Sequence, residues 1–179
     1  MLARTLLLVS IAAVCAFAVA QATVLETDDV LDELRERFAE GYPTVAAVDE
    51  LKAEALARFD AGDCENALPA LESWAEQSNF LANLLRAGIR PFYRASSSDQ
   101  RELSSALISQ LVPIESAANA RLSDRNLAWV MIAECHVQRG DNALALVFFN
   151  QALERLSVLG PERDAWERAR TGMFRIIGY

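Results

Sequence analysis

Apolar residues recur at helical spacing along most of this chain, and short polar turns separate the periodic segments. Val30, Leu31, Leu34 and Phe38 mark a first amphipathic helix, with Thr27, Asp28 and Asp29 at its start and Gly41-Tyr42-Pro43 at its end. It serves either as a cap on the next helical hairpin or as a loose arm. Val45–Asp60 and Asp63–Gln77 read as a helix–turn–helix about Gly62-Asp63, with Pro69 expected to kink the second helix or delay its start. Phe80, Leu81, Leu84, Leu85 and Ile89 continue a stripe that Pro91 is expected to bend or break near Gly88. Ser97 and Gln100 are spaced as a capping box for a helix through Leu103, Ala106, Leu107 and Leu111, which Pro113 interrupts. The segment from Ala128 to Glu154 (AWVMIAECHVQRGDNALALVFFNQALE) is the clearest pattern. Two periodic stretches flank Gly140, suited to a left-handed helix end, and Asp141, suited to an N-cap, while Ser123 or Asp124 is placed to start the first. Gly160-Pro161 then precedes a last helix with Trp166, Ala169, Met173, Phe174 and Ile177 on its apolar face.

The Ala128–Glu154 segment resembles a tetratricopeptide repeat, a helical hairpin of about 34 residues used in stacked arrays. Trp129, Ala133, Gly140-Asp141, Ala145, Phe149, Ala152 and Leu153 match the family pattern in order and spacing. His136 stands where the family has tyrosine, and the proline that should follow the second helix comes late, at Pro161. Aligning the two Gly-Asp turns makes residues 45–77 a degenerate copy: Leu51, Ala55, Ala67, Leu71 and Ala75 fall on the matching positions, and Trp74 falls where a small residue belongs. The resemblance implies an all-α, short solenoid of about seven or eight helices. Residues 23–43 cap its start, 78–122 form a divergent middle hairpin, 124–157 form the best repeat and 161–179 cap its end. It further implies a groove lined by the first helices of the repeats, at Leu56, Phe59, Val130, Glu134, Val137 and Gln138, that takes a protein or peptide.

Met1–Ala22 reads as a secretory signal peptide: Arg4 supplies the charge, Leu6–Val19 the apolar region, and Ala20-Gln21-Ala22 the cleavage site. The alternative is an uncleaved anchor. Val14 fits poorly just before a lipidated Cys15, so a lipoprotein is rejected, and no later segment is apolar enough to span a bilayer. The mature protein is therefore expected to be exported, with the bacterial periplasm as its compartment. Cys15 leaves with the leader; Cys64 and Cys135 remain, either as one disulfide or as two unrelated small apolar residues. Straight stacking with an intervening helix pair works against a bridge, which needs Cα atoms within about 7 Å.

Over 179 residues, 53% are hydrophobic, enough for a core and against disorder, and the net charge of -8 argues against nucleic acid and anionic membranes as partners. His136, the single histidine, reads as a packing or groove residue. No GxSxG elbow, phosphate loop, GxGxxG, CxxC or zinc-ligand cluster occurs, and Glu65, Glu72 and Glu76 read as solvated faces. No catalytic residue, metal or cofactor is expected. Arg86, Arg90, Phe92, Tyr93 and Arg94 form either a binding surface or a core with balancing charges, and Trp166 to Arg170 share that ambiguity. The function read from all this is a non-catalytic scaffold or adaptor in the cell envelope. The alternatives are a self-associating assembly domain and an enzyme acting on cell-wall material, the latter needing paired carboxylates.

Overall fold

The computed structural model describes residues 42–102 and 105–179. The expected leader and the amphipathic helix through Glu40 lie outside them. Among the described residues the protein is all-helical: α1 (Val45–Asp60), α2 (Cys64–Arg94), α3 (Ser97–Glu102), α4 (Ser105–Gln138), α5 (Asn142–Leu153) and α6 (Arg163–Ile177), with a 3-10 turn at Gly160–Glu162. None of these helices is long and apolar enough to cross a membrane.

The two Gly-Asp corners are built alike. Gly62 and Gly140 adopt φ of 74° and 77°, a left-handed conformation that suits glycine because it carries no Cβ. Gly62 N bonds to Phe59 O and Asp63 N to Arg58 O, and the same pair of bonds joins Gly140 to Val137 and Asp141 to His136. Each aspartate then caps the next helix, its carboxylate accepting from Asn66 N in one corner and Leu144 N in the other. The 3-10 turn is tied back by Glu162, which accepts from Ser157 N at 2.9 Å and from the Ser123 hydroxyl.

The middle of the chain departs from the expected hairpin at 78–122. α2 continues through Pro69 and Pro91, and α4 continues through Pro113, Ser123 and Asp124. Among the described residues the interruption expected at Pro113 does not occur, and Pro91 does not break its helix, so the middle of the chain holds fewer and longer helices than expected. The reason is packing. α2 and α4 lie antiparallel and form the largest helix interface, with Asn79 bonded to Arg125 at 2.6 Å and Arg86 to Asn119 at 2.9 Å. The pair buries Leu81, Ala82, Ile89 and Ala118, while all three proline rings are exposed, so each lost amide donor leaves its carbonyl near water. Ser96, not Ser97, caps α3, accepting from Asp99 N at 3.2 Å.

The C-terminal half of α4 is apolar nearly all round because two cores meet on it. Ala128, Met131, Ile132 and Cys135 pack with Ala55 of α1 and with Ala67, Leu71 and Trp74 of α2. Val130 and Ala133 pack with Ala145, Phe149 and Ala152 of α5 and with Ala165 and Ala169 of α6. α1 runs parallel to α4, joined by Asp49–Arg121 at 2.6 Å and Lys52–Asp124 at 2.7 Å, each pair 72 residues apart. α6 follows α4 in the same sense: Ser123 meets Glu162, and Glu134 meets Arg168, 34 residues on.

Cys64 and Cys135 form a disulfide with Cα atoms 5.2 Å apart. No helix pair stands between their helices, since α2 packs directly on α4, and this removes the geometric objection that straight stacking raised.

Candidate binding groove

The first residue of α2 and the last turn of α4 meet at the disulfide, and a groove of about 620 Å³ opens beside it. α1 contributes Phe59 from its last turn. α4 contributes Glu134, Val137 and Gln138. α6 lays down a full stripe of Asp164, Glu167, Arg168, Thr171, Gly172 and Arg175, and Phe149 of α5 forms the floor. The floor is close-packed. A Cβ built on Gly172 would lie 2.3 Å from Phe149 Cζ, so this glycine admits the ring to the helix backbone.

One ion pair crosses the groove. Arg168 Nε donates to Glu134 Oε1 at 2.9 Å, and a second bond runs from Arg168 Nη2 to Glu134 Oε2. This fork is the geometry guanidinium and carboxylate favour. The bond to Glu134 pushes the Arg168 pKa above its ordinary value, against the opposing effect of partial burial. The same guanidinium sits 6.0 Å from the centre of the Phe59 ring, so Arg168 links all three walls. Arg163 pairs with Glu167 of the α6 stripe at 2.9 Å.

Of the six residues that the repeat resemblance placed in a groove, Phe59, Glu134, Val137 and Gln138 come together here. Two do not. Val130 is 0% exposed, enclosed by α5 and α6 in the second core, and Leu56 is half-buried against the first core. α4 is covered on both sides at the height of Val130, and its face emerges only one turn later. The α6 stripe was not assigned to the groove: the helix was read as a cap, and its run Trp166 to Arg170 was left open between a binding surface and core. Its signal was nonetheless present: Arg168, Thr171 and Gly172 lie 34 residues after Glu134, Val137 and Gln138, the spacing between equivalent repeat positions.

His136 is buried and stacks on Phe148 with ring centres 5.8 Å apart. Its Nδ1 lies 3.9 Å from Asp141 Oδ2, too long for a hydrogen bond. No grouping of His, Cys, Asp and Glu suited to a metal occurs among the described residues.

In the arginine–aromatic cluster Tyr93 is exposed and Phe92 half-buried, so neither is core; Arg86, Arg90 and Tyr93 border a smaller hollow of about 360 Å³ with Glu115 and the buried Ile89. The Tyr93 hydroxyl is hydrogen-bonded to Glu115, which raises its pKa. Further along the α2–α4 pair, Arg125 stacks over Trp129 at 4.4 Å in a hollow shared with Glu72, Glu76 and Phe148. Burial lowers the Arg125 pKa, and Arg155 and Arg86 lower it further. At the last helix, Arg170 lies over Trp166 at 5.7 Å and over Phe174 at 4.8 Å.

Comparison of the chain with family models, curated proteins and solved structures finds no match.

Proposed function

We propose that this chain is an exported, tetratricopeptide-like adaptor that is not an enzyme and that holds a protein or peptide segment in the Phe59–Arg168 groove. The observation that carries this reading is the parallel arrangement of α1, α4 and α6 with one groove across all three. Glu134 and Arg168 face each other at the 34-residue offset of equivalent repeat positions. On this reading α1–α2 and α4–α5 are two repeats, lengthened where α2 and α4 extend past their partners, and α6 begins a third. The groove mixes apolar floor with charged rim, the character that suits peptide capture better than bulk hydrophobic docking. The signal-peptide-like pattern of residues 1–22 supports a place in the envelope.

The test is capture of envelope proteins by the tagged full-length chain after brief crosslinking, compared with Phe59→Ala and Arg168→Glu. Both variants are expected to lose a partner that the parent captures reproducibly, with unchanged circular dichroism. A partner retained by both would sink the groove reading. Self-association is the second reading, favoured by Ile108 and Val112, one turn apart and exposed on α4. A mass that rises with concentration, and falls back with Val112→Glu, would establish it instead.

A further inference from the structure

The corner formed by residues 57–67 is a self-contained unit. Ala61 N bonds to Ala57 O, Gly62 N to Phe59 O and Asp63 N to Arg58 O. Arg58 Nη1 donates to Asn66 O at 3.1 Å, and Asn66 donates to Asp63. These bonds all run within the corner and tie Phe59 to it; apart from the disulfide, Ala67 and Phe59 hold the corner on α4 by apolar packing in the first core. The ion pairs that dock α1 on α4 start from Asp49 and Lys52, ten and seven residues before Phe59. That puts them roughly 10–15 Å up the helix axis from the groove. At the groove end the covalent tie between the corner and α4 is Cys64–Cys135. Cys64 lies five residues after Phe59, and Cys135 directly follows Glu134. The bond therefore joins the two walls of the groove next to the residues that line it.

We infer that the Cys64–Cys135 disulfide is a redox clamp that sets the width of the groove. In the oxidised chain the corner is held on α4, and Phe59 stays under Arg168. In the reduced chain the corner disengages and the Phe59 wall is lost, while the second core of α4, α5 and α6 remains. The inference deepens the adaptor reading, and its biological consequence rests on that reading: partner binding becomes conditional on an oxidising compartment.

The chemistry is thiol–disulfide exchange with a dithiol reductant. The reductant's thiolate attacks Sγ of Cys64, the less buried of the two residues at 6% exposed against 0% for Cys135. A mixed disulfide forms and the Cys135 thiolate leaves, taking up a proton. The second thiol of the reductant then displaces Cys64, which is protonated in turn, and the reductant departs as its own disulfide. Two electrons and two protons pass to the protein.

The experiment is hydrogen–deuterium exchange on the full chain, oxidised and then reduced with dithiothreitol, with Cys64→Ser/Cys135→Ser as a second route to the unbridged state. In both unbridged forms, amides of residues 57–67 are expected to exchange at least about tenfold faster, while those of 145–169 keep their protection. Unchanged exchange at 57–67 would overturn the clamp. Equal acceleration in 145–169 would overturn it too, because the bond would then hold the whole fold rather than one wall. The adaptor reading fails separately: it falls if Phe59→Ala leaves partner capture by the oxidised chain intact, whatever the exchange data show.

Discussion

Gly172 carries opposite demands on its own backbone and on its neighbour. In most helix interiors, replacing glycine by alanine stabilises by about 1 kcal/mol. Here the added methyl would enter the space of Phe149, which is 1% exposed and packed on all sides. Gly172→Ala is therefore expected to destabilise by about 1–2 kcal/mol in urea unfolding, and Phe149→Leu in the same chain to relieve part of that loss. At Asp63 the determinant is charge. The hydrogen bond from the Asn66 side chain, followed by that from its backbone, holds this carboxyl below its ordinary pKa. A group whose folded pKa is depressed stabilises above its unfolded value, near 4, and loses that contribution as the pH falls through the folded value. Melting temperatures should thus fall more for the parent than for Asp63→Asn between about pH 4 and pH 2, since asparagine caps without titrating. Gly62, Asp63, Gly140 and Asp141 could be read from sequence because turn chemistry is local. The burial of Val130 could not, because it depends on α5 and α6 closing over α4.

Proline is where local reasoning about the helices failed. Pro69 predicted a kink or a late start, Pro91 a bend or a break and Pro113 an interruption, yet α2 and α4 run through all three. An interior proline costs roughly 3 kcal/mol, and a long antiparallel interface that buries several large apolar side chains outweighs it. If that balance is right, Pro113→Ala should leave helical content unchanged by circular dichroism and raise the unfolding free energy by about 1–3 kcal/mol. A fall in stability would show that Pro113 itself supports the course of α4 along α2. The boundaries of α1, α5 and α6 were recovered closely, because their ends coincide with glycine or capping signals. α6 was placed closely, but its groove residues were not assigned, since amphipathicity shows that a helix docks and not which of its polar residues face a groove.

For the molecule as a whole, the groove draws on α1, α4, α5 and α6, and its walls lie more than a hundred residues apart in sequence, from Phe59 to Arg175. Its α1 and α4 residues were found through repeat spacing, the one long-range regularity that a single sequence offers. The bridge remained open at that level because its feasibility turned on whether a hairpin intervened. Its placement has one more consequence. The polypeptide passes from the first hairpin to the second through Ala95 and Ser96, and the exposed Arg94 just before them offers trypsin a site. A single cut there leaves every residue of α1 and α2 on one fragment and all of α4, α5 and α6 on the other. The nicked protein should migrate as one band on non-reducing electrophoresis and as two after dithiothreitol, a covalent heterodimer made from one chain.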